Sequence, residues 1–277
     1  MIMRKLINIE LIKLFNYTSF KVILGLHLAL FSLVVFVASQ ADITVPGFDT
    51  TNLFRFPHVW GFLAWIASWF NLLLAILIIM VTGNEFSFRT FRQHVIDGLD
   101  RNHLLQGKLL VILMIAAYSL LIVFFSGVVY GLIFSGGLSL EAIFSNTGIL
   151  GIYFLQTIAY MVTGLMIVMV VRTTALSIIL FILLRFPLEP IIRSFFDPAA
   201  RAFFPMKAIG QLTPMPEFLS ISSEKTFETI EGADALSLGE IGLVSQGLPL
   251  YGQILVGAGY VILFILITAS LLMRRDL

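Results

Sequence analysis

An all-α integral membrane protein of six transmembrane helices is the fold class predicted by three observations on the sequence. The 277 residues are 59% hydrophobic and only 12% charged, with a mean hydropathy of +1.01, whereas soluble domains average about 45–50% apolar and about 25% charged residues. Six apolar windows have the roughly 20 residues that a helix needs to cross about 30 Å of hydrocarbon. Lysine and arginine concentrate on one side of those windows. A separate soluble domain of ordinary size does not fit, and a chain without cysteine has no disulfides or thiolate metal sites.

The chain begins with Ile2, Leu6, Ile9 and Leu14 interleaved with Arg4, Lys5, Asn8, Glu10 and Lys13, the pattern of an amphipathic interfacial helix over residues 1–18. Those spread charges, with no small-residue cleavage site after the first apolar run, predict a retained segment and not a cleaved signal. The windows place spans at residues 20–39, 62–81, 109–134, 149–171, 173–192 and 254–273. Spans one to five thus occupy 20–193, an outer loop with room for re-entrant helices covers 194–250, and 251–277 holds the sixth span and tail. In the fifth window Arg185, Pro187, Glu189 and Pro190 crowd one end, so a broken or re-entrant helix competes with a continuous one there. Gly127 and Gly131 in the third window predict close helix packing.

Of the 17 lysines and arginines, the N-terminal segment, the loop between spans two and three, Arg172 and the tail hold most. Arg55, Arg193, Arg201, Lys207 and Lys225 fall on the other side. By the positive-inside rule both termini and the second-to-third loop are cytoplasmic. The outer loop has an aromatic and proline-rich first half, from Phe195 to Phe218, and an acidic second half.

The second-to-third loop is a polar island between two apolar runs. On a helix, Phe88, Phe91, Val95 and Leu99 form one apolar stripe, while Arg89, Gln93, Asp97 and Arg101 line another face, with Asp97 four residues before Arg101. Too polar to cross a membrane and too apolar on one side to float free, such a helix lies on the bilayer or docks a partner.

Catalytic signatures are missing from the sequence. There is no Gly-x-x-x-x-Gly-Lys-Ser/Thr phosphate loop, and His27, His58, His94 and His103 are too scattered for a zinc protease motif. Within the spans, His27 reads as a neutral histidine bonded to a neighbouring helix, ahead of a proton relay. Arg185 and Glu189, four apart, read as a structural ion pair, ahead of an outer gate. Trp60 fits the interfacial aromatic belt, and Trp65, Trp69 and Asn71 are the candidates for lining a substrate path.

Three stretches carry a resemblance: Ile9 to Leu14, Gly83-Asn84-Glu85 followed by Phe88-Arg89-Thr90, and Asp97-Gly98-Leu99-Asp100-Arg101 leading to Gly107-Lys108. They resemble the ABC-2 family of ABC transporter permeases, six-span membrane subunits of exporters, in wording similar to that of Bacteroidetes-type bacteria. Many members have glycine before the threonine where this chain has Arg89. The resemblance implies a cytoplasmic coupling helix between spans two and three, seated in a groove of a separate ABC ATPase subunit. It also implies a second permease copy as homodimer or related partner, and location in the bacterial cytoplasmic membrane among its lipids. No cofactor, nucleic acid or catalysis in this chain is implied. Carried over, Glu85, Phe88, Arg89, Arg92, Val95, Asp97, Gly98 and Arg101 are the expected ATPase-coupling residues, and Trp65, Trp69, Asn71, Arg185 and Glu189 the expected pathway or gate. An ion-coupled carrier or channel built on His27 or on Arg185 and Glu189 is one alternative, and a non-transporting membrane anchor the other.

Overall fold

A computed structural model describes residues 10–41, 44–45, 48–88, 90, 93, 96, 100–136, 143–215 and 248–274. Residues 10–16 form helix α1, which ends where Tyr17 turns extended (φ −80°, ψ 114°), and α2 (Thr18–Gln40) follows directly. A two-residue antiparallel ladder, Thr44–Val45 with Phe48–Asp49, and a 3₁₀ turn (Thr50–Phe54) lead into α3 (His58–Trp69) and α4 (Asn71–Ser87). Then come α5 (Arg101–Phe134) and α6 (Gly148–Val171). The fifth apolar segment is α7 (Thr174–Leu183), a π-helical turn (Leu184–Leu188) and α8 (Glu189–Ser194). Two short helices, α9 (Pro198–Arg201) and α10 (Pro205–Gly210), precede the last long helix, α11 (Leu250–Arg274).

Five of these segments are long and apolar enough to span a membrane, and the bent pair α3 and α4 passes the same test jointly. The protein is therefore an all-α, multi-pass membrane protein. Its exterior agrees: Val22, Leu33, Phe125, Ile179, Leu255 and Leu266 all project outward, a far larger apolar surface than soluble monomers carry. At the centre stands α6, the most buried of the five unbroken candidate spans, packed chiefly on α4 and α11. Gly164 makes this approach close, since a Cβ there would press on the Ala75 carbonyl and the Ile79 side chain.

The second apolar segment differs from expectation. It starts at His58, earlier than the hydropathy window, and bends by 44° where α3 meets α4. No proline causes this. Ser68 Oγ donates to the Trp65 carbonyl at 2.7 Å, and the Phe70 N–H turns to the Ala67 and Ser68 carbonyls. Such side-chain back-bonding bends helices. The fifth segment continues through its prolines by widening one turn into a π-helix around Pro187, which accommodates the missing N–H without ending the span. Between α6 and α7 lie only Arg172 and Thr173, with Arg172 left-handed (φ 60°) and its guanidinium 5.8 Å from the Phe86 ring.

Two further expectations are corrected. Trp60 is no interfacial belt residue: it is fully enclosed, stacked on Phe124 and donating from Nε1 to the Ile143 carbonyl at 2.8 Å. Gly127 clears the space for its ring, since a Cβ there would overlap the indole. His27 is buried but not bonded to a neighbouring helix. Neither ring nitrogen has a hydrogen-bond partner, and the imidazole sits against Phe70 and Tyr118.

Candidate functional site

Two polar sites interrupt the apolar bundle. The first joins the ends of three helices on the side where the N-terminal segment and the second-to-third loop meet. Glu85 occupies the last turn of α4, and Lys108 lies two turns into α5. Both are almost fully enclosed, at 3% and 2% exposure. The Lys108 ammonium donates to Glu85 Oε1 at 2.6 Å and to Glu10 Oε2 and Oε1 at 3.0 and 3.3 Å. Lys13, one turn beyond Glu10 on α1, reaches Glu85 Oε1 at 3.4 Å. The cluster contains two carboxylates and two ammonium groups, so its formal charge cancels.

Why α1 docks this way follows from its periodicity. Glu10 and Leu14, four apart, point inward and are buried, while Ile12 and Phe15 point outward. A mixed face, charged at Glu10 and apolar at Leu14, thus turns to the bundle, and Ile12 and Phe15 lie on the outward one. Gly107 permits the contact, because a Cβ there would stand 3.3 Å from Glu10 Oε1. Burial by itself raises the Glu10 pKa, but Lys108 and Lys13 outweigh it and hold the carboxyl below its ordinary value. Burial and the neighbouring Glu85 push the Tyr17 phenol up.

Of the expected coupling residues, Glu85 is therefore the keystone of an internal cluster. Phe88 follows it as the cap of α4 and is 68% exposed, and Ile96 in the same loop is 73% exposed. Thr90 Oγ1 donates back to the Glu85 carbonyl at 3.1 Å. Arg101 is engaged within the chain, its Nη1 donating to the Leu272 and Met273 carbonyls at 3.0 and 2.8 Å. A cation on the last carbonyls of α11 satisfies acceptors that the helix leaves open and complements its dipole. Arg89, Arg92, Val95, Asp97 and Gly98 lie outside the described residues.

The second site is a cleft of about 380 Å³ beside the α3/α4 bend and the π-helical turn, with Trp65, Trp69, Arg185, Phe186, Gln156 and Tyr160 among its walls. Trp65 and Trp69 meet edge to face at 4.7 Å. The expected Arg185–Glu189 ion pair is not formed. Both Glu189 oxygens instead accept backbone N–H groups at the start of α10, from Lys207 at 2.6 Å and Met206 at 2.8 Å. At the other end of α10, Gln156 Nε2 donates to the Ile209 and Gly210 carbonyls at 3.0 and 3.2 Å, while its Oε1 accepts from Thr213 at 2.7 Å. A six-residue helix is too short to be stable alone, and these two side chains fix both its termini. Asn71 stays behind the cleft wall, buried, with Oδ1 accepting from Thr157 Oγ1 at 3.1 Å. Just outside, burial together with Arg193 and Arg201 pushes the Lys207 ammonium pKa down.

Sequence reasoning brought Trp65, Trp69 and Arg185 to this cleft but missed Gln156, Tyr160 and Thr213. A lone glutamine within an otherwise apolar window was the available signal. It missed the roles of Glu10, Lys13 and Lys108 as well, whose signal was opposite charges at the ends of three apolar segments. Among the described residues no cluster of histidine, aspartate and glutamate is suited to hold a metal ion.

Lys108→Met should destabilise the protein by about 3–5 kcal/mol, because two buried carboxylates lose their partner, whereas adding Glu10→Gln and Glu85→Gln should recover much of that loss. Thermal unfolding in detergent reads both. The pH dependence has a definite sign. A depressed carboxyl contributes fully above its unfolded value of 4.5 and loses its contribution as pH falls through the lower folded value. The melting temperature should therefore hold from pH 7 to about pH 5 and drop below about 4.5, with a shallower acid drop in Glu10→Gln.

Comparison with protein-family models finds no match, and comparison with curated proteins finds none either. The functional reading therefore stands on the chain's own residues.

Proposed function

We propose that this chain is the membrane-spanning permease subunit of an ATP-driven ABC exporter of the ABC-2 kind. In this reading a separate ATPase subunit hydrolyses ATP, and the loop after α4 is the coupling helix through which its movement enters the membrane. The unit has six spans, with the bent α3 and α4 counted as one, and both termini face the cytoplasm of a bacterial cell. It works with a second permease copy.

One observation carries the reading. Residues 86–107 form an excursion whose two ends, Glu85 and Lys108, are joined by a buried contact of 2.6 Å. A force applied to the excursion reaches α4, α5 and, through Glu10, α1 together. A loop that only connected two spans would need no such clasp. Exposed Phe88 and Ile96 supply apolar anchors for a partner groove, and in this reading ATP hydrolysis, for which the sequence has no phosphate loop, falls to the partner subunit. Closing of paired ATPases then moves the joined helix ends as a rigid body, provided the nucleotide states discriminate between the two membrane conformations. An ion-coupled carrier is less well supported, since the Glu189 carboxylate already accepts two backbone N–H groups.

Arg89→Glu with Arg92→Glu, and separately Phe88→Asp with Ile96→Asp, should each weaken association with the cognate ABC ATPase subunit by about tenfold or more, as loss of interface anchors does. Co-purification and vanadate-sensitive ATP turnover in proteoliposomes measure this. Normal values in both double variants would remove the coupling assignment.

A further inference from the structure

We propose that the cleft between α3, α6 and the π-helical turn binds a single-chain anionic amphiphile, with its carboxylate or phosphate on Arg185 and its apolar chain along Trp65, Trp69, Leu72 and Phe186. The assignment follows from which of the cleft's polar groups remain available. The Gln156 amide is committed to the Ile209 and Gly210 carbonyls, and its oxygen is taken by Thr213. Ser68 Oγ donates to the Trp65 carbonyl. Glu189, an electrostatic neighbour of Arg185, forms no ion pair with it and is held on the N–H groups of Met206 and Lys207. The guanidinium leans over Phe186 at 5.5 Å and interacts with the Tyr160 hydroxyl, a neutral partner.

Arg185 thus brings a permanent positive charge and a planar set of donors matched to a carboxylate or phosphate. It lies about 17 Å along its span from Thr174, a position at which an ionisable side chain marks a ligand site. Charges around the cleft point the same way. Arg193 lies close to Glu189, and Arg193 and Arg201 lie close to Lys207, so further cations stand near the cleft. The remaining wall is aromatic and aliphatic, and 380 Å³ suits one chain with its head group. Two backbone irregularities, the 44° bend and the π-turn, flank the cleft. Irregular backbone at membrane depth is tolerated where it lines such a cavity, and π-bulges recur at functional sites.

The test uses the purified full chain in phosphatidylcholine nanodiscs without any ATPase, so binding is read apart from coupling. 11-Bromoundecanoate quenches nearby tryptophan, and Trp65 and Trp69 report because Trp60 is enclosed elsewhere. Saturable quenching is expected, about tenfold or more weaker for 11-bromoundecanol of the same chain length and for Arg185→Gln, and intermediate for Arg185→Lys. Equal quenching by acid and alcohol, or unchanged affinity in Arg185→Gln, would overturn the site. Displacement by inorganic phosphate at concentrations equal to the amphiphile would overturn the role of the chain. Photolabelling of the unmodified protein with a diazirine fatty acid needs no variant: label on residues 65–72 and on Phe186 is expected, and label confined to the outward faces of α2 and α11 contradicts the proposal.

Discussion

A lysine enclosed at 2% exposure with two carboxylates against it is the constraint on which the rest of this protein depends. An ammonium group without water is costly to bury, and only geometry good enough to offset that desolvation keeps it charged there. Here the offset needs three separate pieces of chain. Glu85 must stand at the end of α4, Lys108 on the second turn of α5, and Glu10 on a short helix whose inward face also buries Leu14. The helices are set relative to one another by the requirement that no charge be left alone. Hydrophobic contact could not impose this, since lipid tails serve apolar surfaces as well as neighbouring helices do.

The opposite part of the bundle uses the same physics with neutral groups and one carboxylate. Glu189 and Gln156 hold α10 by its two ends, giving satisfied backbone to a segment that the hydrophobic phase would otherwise reject. Between the two polar regions α6 is a single unbroken and largely buried helix, while its neighbours on the cleft side are bent or bulged. A rigid centre, a charge-clasped base and an irregular flank with a cleft are the parts from which motion at one surface can alter a site at depth.

Much of this architecture was legible in the sequence because apolar length and charge asymmetry are strong signals. The windows fall within a few residues of α2, α6 and α11, and α5 begins eight residues before its window; the tight turn at Arg172 is present, and the proline-rich stretch after α8 folds into short helices. Partnerships were harder to read. Arg185 and Glu189 are one helical turn apart, yet the carboxylate found better donors in the free N–H groups of α10, contributed from 17 residues away. Arg101, whose spacing suggested a pair with Asp97, a residue outside those described, donates to the last carbonyls of the final helix from across the chain. Glu10 and Lys108, 98 residues apart, had no local pattern to unite them. Spacing rules see neighbours on one helix, while buried charges choose the partner that leaves nothing unsatisfied.

The central claim is that the cluster around Lys108 locks α1 to the base of the second-to-third loop. A chain free of cysteine allows spin labels to be placed at Ile12 and Phe88, both exposed, and their separation read by pulsed electron resonance in nanodiscs. The account predicts one narrow distance, and a broadened or displaced distribution in Glu10→Ala with Lys13→Ala, which keeps the contact of Glu85 with Lys108 and removes both charged contacts of α1 with the cluster. A distribution in that double variant indistinguishable from that of the unmodified pair would contradict it.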